Sequence, residues 1–324
     1  MPLFFGPTDI LIRWAIGTDA EHQRVPAHAR HMYPYIHIGS LNLGTFGLFL
    51  WLAAVLGGYV LYLNFIRNGV DADALNVVAL VVLAGVLGAK LWHELQDPAE
   101  LRFAMREIVA PGWSHLGRVI LGFLGWMRGG IAWYGGLVAG IAMLMYQGVS
   151  NRPNGLTGIR GAIRMLDLAA PAVPIGYGIG RIGCLTSGDG DYGKNTASHF
   201  WGVHMRHDAL VLPHPPGALV LPTPLWELAI ALFIAWLIWR LGAKARPLGW
   251  LTALYLVLSG IARFVVEFWR INPRIYFNHN LSNAQVAALG SVLLGAIVMF
   301  AVRNRNQVGG PVLPATFQTQ GPAV

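Results

Sequence analysis

Two charged side chains stand where an apolar helix would normally exclude them. Arg263 and Glu267 lie in the run Arg263-Phe264-Val265-Val266-Glu267-Phe268-Trp269-Arg270. An ionised side chain at the centre of a membrane helix costs roughly 2.5–3.5 kcal/mol on insertion scales, so the pair needs a compensating arrangement. Spaced i,i+4, the two share a helix face and can pair. They read either as an arginine-lined pocket for a phosphate, with Glu267 orienting Arg263, or as a structural ion pair between helices. Arg181 favours the pocket. It ends another apolar stretch, in Gly180-Arg181-Ile182-Gly183-Cys184, beside the glycine-rich run from Ser187 to Lys194. Arginine suits this work because its planar donor fork grips phosphate oxygens and stays charged at any relevant pH.

Other motifs carry less. Gly178-Ile179-Gly180-Arg181-Ile182-Gly183 matches the dinucleotide fingerprint in letters only, because no strand precedes it and no βαβ unit surrounds it. Asp189-Gly190-Asp191-Tyr192-Gly193 lacks the closing Glu of a twelve-residue calcium loop. His199, His204, His207 and His214 sit among prolines and read as solvated loop histidines rather than a zinc site. Cys184 is the only cysteine, which excludes an internal disulfide and any multi-cysteine metal centre. It reads as a small packing residue at the end of a span. Lys90, inside another apolar stretch, either snorkels to the interface or joins the phosphate site.

The elements that must position these residues are membrane helices. Of the 324 residues, 55% are hydrophobic and only 12% charged, against roughly 25% charged in soluble domains. The mean hydropathy of +0.52 excludes a soluble fold of this size. A span needs about 20 mostly apolar residues, and seven stretches qualify: 41–66, 75–95, 130–149, 166–185, 222–241, 248–268 and 284–302. Leu116 to Met127 is too short to span and is expected to be re-entrant or interfacial. The expected fold is therefore an all-α integral membrane protein of about seven transmembrane helices, with a small extracytoplasmic loop region. Residues 1–302 read as a single polytopic domain and 303–324 as a polar, disordered tail. The opening stretch from Met1 to Ile16 is interrupted by Asp9 and Arg13 and is not read as a cleavable signal peptide. The net charge of +8 comes without a basic run or nucleic-acid motif, so the expected anionic partner is a membrane surface or lipid, not nucleic acid.

Seven spans place the termini on opposite sides. Arg152, Arg160, Arg164, Lys244, Arg246, Arg303 and Arg305 favour a cytoplasmic C-terminus and a periplasmic N-terminus. Arg13, Arg24, Arg30, Arg102, Arg106, Arg118 and Arg128 lie on the other side, so charge count alone leaves the orientation open.

Taken in order, these segments resemble the prolipoprotein diacylglyceryl transferases, bacterial inner-membrane enzymes that lipidate lipoprotein precursors. The resemblance runs from Tyr35-Ile36-His37-Ile38-Gly39-Ser40, through Gly129 to Gly140 with an aromatic position at Tyr134, to the stretch from Asp167 to Gly193. Thr196 and Trp201-Gly202-Val203 follow as usual, Pro222 to Glu227 resembles a worn fifth-span motif, and Arg263, Glu267 and Arg270 match the sixth-span charges. Lys90 falls at a basic second-span position. Phe46 stands where the family has a tyrosine, Cys184 where it has an asparagine, and Leu221 and Trp226 depart from the fifth-span pattern. The loop from Cys184 to Gly193 is one residue longer than the common form.

The resemblance implies transfer of a diacylglyceryl group from phosphatidylglycerol to the thiol of a lipobox cysteine in a prolipoprotein signal peptide, with glycerol phosphate leaving. Arg181 and Arg263 would clamp the phosphate, and Glu267 would position Arg263. Asp189 and Tyr134 are candidates for taking the thiol proton. Gly193, Cys184 and Lys90 would contribute to lipid binding. Neither a metal nor an organic cofactor is implied. The rival readings are a relative modifying another acceptor with the same donor, and a transporter of an anionic solute.

Overall fold

The computed structural model describes residues 35–308 apart from 39–40, 97, 111–114, 129–131, 206–210, 214 and 216. The N-terminal stretch, His207, His214, part of the Tyr35–Ser40 and Gly129–Gly140 motifs, and the tail from residue 309 lie outside the described residues.

A short hairpin, β1 (Tyr35–Ile38) and β2 (Leu41–Gly44), leads into α1 (Thr45–Arg67). Then come α2 (Ala74–Gln96), α3 (Pro98–Val109), α4 (Leu116–Arg128), α5 (Trp133–Asn151), α6 (Gly158–Ala169) and α7 (Ala172–Ser187). A loop layer containing β3 (Val203–His204) and β4 (Leu219–Val220) precedes α8 (Thr223–Leu241). The chain closes with β5 (Arg246–Pro247), α9 (Trp250–Val266), β6 (Arg274–Tyr276), β7 (Leu281–Ser282), α10 (Asn283–Val302) and β8 (Gln307–Val308).

Among the described residues, five helices, α1, α2, α8, α10 and the run from Trp250 to Trp269, are long and apolar enough to cross a membrane. The protein is thus a multi-pass, mostly helical membrane protein. The expected fourth span is broken. α6 and α7 meet at 50°, because Pro171 at the junction lacks the N–H that would continue the ladder. The expected third span is helical as α5, but Trp133, Tyr134, Tyr146 and Gln147 dilute its apolarity below that of the other five. Residues 116–128 form the separate short helix α4 beside α3. Gln307–Val308 pairs with β5, so the polar tail begins in regular structure.

Local chemistry sets the element ends. The Asp73 carboxylate accepts from the N–H groups of Leu75 (2.9 Å) and Asn76 (3.3 Å), capping α2. α10 starts in a capping box between Ser282 and Gln285. α2 and α5 approach closely because a Cβ on Gly88 or on Gly135 would run into the other's carbonyl. α1 runs antiparallel to α7, with Phe46 and Phe49 against Gly183 and Gly57 against Ala172 and Gly176. The first turns of α1 and α8, and the last turns of α7 and α9, therefore gather at one end of the bundle. The loop layer covers that end on a small core of Leu185, Tyr192, Val203, Met205 and Val220.

Candidate active site

At that covered end, three arginines and three carboxylates converge. Arg181 comes from the second-last turn of α7, Glu227 from the second turn of α8, and Arg263 from the last turn of α9. Glu267 follows on the 3₁₀ turn Glu267–Trp269, then Arg270 after it, and Asp191 comes from the loop behind α7. The Arg263–Glu267 pair thus ends its span rather than occupying its middle, which lowers the cost of carrying charge there.

Glu227 is the hub and is 4% exposed. One oxygen accepts from the Tyr177 hydroxyl (2.9 Å) and from Arg263 Nη1 (3.0 Å). The other accepts from Arg181 Nε (2.6 Å) and stands 3.4 Å from Arg270 Nη1. Asp191 bridges the guanidinium groups of Arg181 and Arg270 from the loop side. Glu267 meets Arg263 Nη2 at 3.0 Å. Its remaining oxygen accepts from Asn272 Nδ2 (2.7 Å) and the Ser282 hydroxyl (2.8 Å). The hydroxyl that caps α10 therefore also fixes Glu267, and Glu267 fixes Arg263. Three positive and three negative charges balance, which is how so many ionised groups stay partly buried.

The cluster is reachable from outside through Arg263 and Asp191, whose side chains are 27% and 33% exposed. Cys184 lies half-buried one turn beyond Arg181, with Arg181 Nη1 3.6 Å from its sulfur. Asp189 stands beside that thiol, within 4.8 Å, and accepts from the Asp191 N–H at 3.1 Å. Burial and the neighbouring Asp191 charge raise the Asp189 pKa above the ordinary carboxylate value. Burial also works against ionised Asp191, but Arg181 and Arg270 more than offset it and hold Asp191 below that value. The Cys184 sulfur and one oxygen from each of Asp189 and Asp191 lie within 4.8 Å of one another. This set does not fit a divalent cation, because Asp191 is committed to two guanidinium groups that would repel it.

Of the residues expected from sequence, the structure brings together Arg181, Arg263, Glu267, Asp189 and Cys184. Gly193 belongs to the same layer. A Cβ there would meet Thr223 Cγ2 and the Trp269 carbonyl at 2.8 Å and Leu221 Cβ at 2.9 Å, so glycine lets the loop lie against its own chain. Lys90 and Tyr134 share a second locus at the same end, on the α2–α5 pair, where the Ala132 N–H donates to the Ala89 carbonyl at 3.0 Å. Lys90 pairs with Glu94 (2.8 Å) and covers the Trp126 ring, and Tyr134 is 46% exposed. Glu227, Asp191, Arg270 and Tyr177 were not among the expected site residues. A signal for Glu227 existed, since it is an acid one turn inside an apolar span.

The model of the family described as prolipoprotein diacylglyceryl transferase matches residues 34–301. The chain belongs to that family. Curated members named phosphatidylglycerol–prolipoprotein diacylglyceryl transferase are similar along most of their length. The Xanthomonas campestris enzyme is 27% identical over 86% of this chain and 93% of its own. The second such enzyme of Clostridium perfringens is 25% identical over 84% and 96%. That of Blochmanniella floridana is 30% identical over 58% of this chain and 69% of its own. The whole cluster lies inside the matched region.

Proposed function

We propose that this protein transfers the diacylglyceryl group of phosphatidylglycerol to the thiol of a lipobox cysteine in prolipoprotein signal peptides. The observation that carries the reading is the arginine triad held by Glu227 at one end of an apolar bundle, in a chain of this family. The sulfur attacks the glyceryl carbon that bears the phosphodiester. A C–S bond forms, the C–O bond breaks, and glycerol phosphate leaves with both electrons of that bond. Charge therefore grows on the departing phosphate, and donors already aimed at it lower the barrier. Arg263 is the most open of the three and contacts the phosphate; Arg181 backs it, and Glu227 and Glu267 hold the forks in place.

The acceptor thiol, with an ordinary pKa of about 8.5, is mostly protonated at neutral pH. Asp189 takes its proton in this reading, and its raised pKa makes it a stronger base than an ordinary carboxylate. Tyr134 is the alternative, and with Lys90 it lines the lipid's approach. Gly193 sets the loop's height over the site. In this reading α5 and the broken α6–α7 pair are counted with the other five to give seven spans, and the cations at the Arg67 end support a cytoplasmic C-terminus and a periplasmic N-terminus in a bacterial inner membrane. Phosphatidylglycerol then reaches the cluster from the outer leaflet.

The test is incubation of purified protein with labelled phosphatidylglycerol and a lipobox peptide, followed by mass analysis of both. The expected products are a thioether-linked diacylglyceryl peptide and glycerol phosphate, with turnover undiminished by a chelator. Lipid consumed without peptide modification would indicate another acceptor. No lipid turnover at all would favour an anion transporter.

A further inference from the structure

The end of the bundle away from Arg181 carries a second polar assembly that the transfer reaction does not use. Along α8, Leu241 lies fourteen residues beyond Glu227, roughly 20 Å at the helical rise. There α1 ends at Arg67, α6 supplies Arg164 and Asp167, and the turn after α8 supplies Lys244 and Arg246. These five side chains line one narrow recess.

Four of them are cations, and the acid is already committed. Asp167 accepts from the Gly249 N–H (2.7 Å), the Thr252 N–H (2.9 Å) and the Thr252 hydroxyl (2.7 Å), capping the start of α9. Arg164 is 3% exposed, yet it is held by two neutral amide oxygens, Asn154 Oδ1 and Asn68 Oδ1, each at 2.8 Å. Amide oxygens satisfy its hydrogens without balancing its charge. Arg67 donates Nη1 to the Trp239 carbonyl at 2.8 Å and stacks on that ring, while its buried Nε has no hydrogen-bond partner among the described residues. Arg246 gives Nε to the Leu241 carbonyl at 3.1 Å. Capping the end of α8 thus occupies one donor each on Arg67 and Arg246, of the five N–H groups a guanidinium carries. Asp167 offsets part of the Arg164 charge, so capping and this one carboxylate still leave the recess with more positive than negative charge.

We propose that this recess binds a phosphoryl group, with Arg67, Arg164, Lys244 and Arg246 as its donors. The source is either a free phosphate or the headgroup of an anionic lipid in the leaflet at that end. The excess of three positive charges over the five residues calls for a multiply ionised or strongly acidic oxyanion, and the guanidinium forks match phosphoryl oxygens. The donors come from α1, α6 and the α8–α9 turn, so an occupant would tie three parts of the bundle together. The inference is independent of the transfer reaction.

Because the Arg181 cluster also attracts phosphate, the test starts from Arg263→Gln protein, full-length and in detergent. Native mass spectrometry and thermal unfolding are run with inorganic phosphate and, separately, with dioctanoyl phosphatidic acid. One equivalent of at least one probe is expected to bind and to raise the unfolding midpoint. Adding Arg67→Gln and Lys244→Gln is expected to weaken that binding at least tenfold and abolish the midpoint shift. Arg246→Gln serves as the second variant if Arg67→Gln does not fold. Binding of inorganic phosphate assigns a free-anion site, and binding of the lipid alone assigns a headgroup site; either supports the proposal. Failure of both probes to bind the Arg263→Gln protein, or undiminished binding in the folded recess variants, would overturn it.

Discussion

Arg263 and Glu227 make different demands on the same chemistry. Arg263 faces outward and meets the substrate in this reading, whereas Glu227 touches three guanidinium groups and is out of reach. Arg263→Ala should lower kcat/KM by roughly 10²–10³, the usual effect of removing one donor from a charge-stabilising site. Arg263→Lys should not restore it fully, because lysine keeps the charge and loses the fork. Glu267→Gln should be milder, since Asn272 and Ser282 still hold the side chain. Near-normal turnover in folded Arg263→Ala protein would remove this arginine from the mechanism. Cys184→Ser and Cys184→Asn should keep substantial activity and wild type should carry no lipid adduct, because the acceptor brings its own thiol and a thioether is a poor leaving group. An inactive, folded Cys184→Ser protein together with a diacylglyceryl adduct on wild type would contradict this. For Asp189 the sign follows from its raised pKa. The base is lost as pH falls through a value above the ordinary carboxylate pKa of about 3.9, so activity should decline on that acid limb and Asp189→Asn should abolish the limb. A pH–rate profile unchanged by Asp189→Asn would pass the role to another group. The i,i+4 spacing made Arg263 and Glu267 legible in the sequence, because one helix turn fixes their relation. Glu227 lies 36 residues from Arg263, and Asp191 lies 79 from Arg270; only tertiary packing joins them, and no local pattern encodes it.

At the scale of elements, the uniformly apolar spans were read with nearly the observed bounds because lipid imposes their length. The fourth span shows where that logic stops. Residues 166–185 are mostly apolar, yet Pro171 divides them and the preceding α6 is amphipathic enough to turn aside at 50°. Hydropathy averages over a break that a single missing N–H creates. The loop after α7 was legible as glycine-rich but not as a fitted cover. Its fit is testable at Gly193, where an added methyl has less than 3 Å to three neighbours. Gly193→Ala should destabilise by about 1–3 kcal/mol, the usual cost of overpacking, read as a lower unfolding midpoint, and should cut turnover by displacing Asp191. An unchanged midpoint and rate would show that the loop has more slack than this packing allows.

Over the whole molecule, the two charge assemblies lie at opposite ends, one neutral overall and partly open, the other carrying excess positive charge. That asymmetry fits an outer catalytic end and an inner basic end. With Cys184 replaced by serine the chain has no thiol, so Asn306→Cys supplies a single label at the C-terminal end. An impermeant maleimide should modify it in inverted vesicles and not in intact cells; labelling in intact cells would reverse the orientation. The central claim, that arginines stabilise a phosphate departing from carbon, is tested most directly by the fate of one oxygen. Phosphatidylglycerol carrying heavy oxygen between the diacylglycerol carbon and phosphorus is turned over with a lipobox peptide. All of the label is expected in the released glycerol phosphate, with none in the modified peptide. Label retained on the diacylglyceryl product would mean that the P–O bond breaks instead, and would contradict the mechanism.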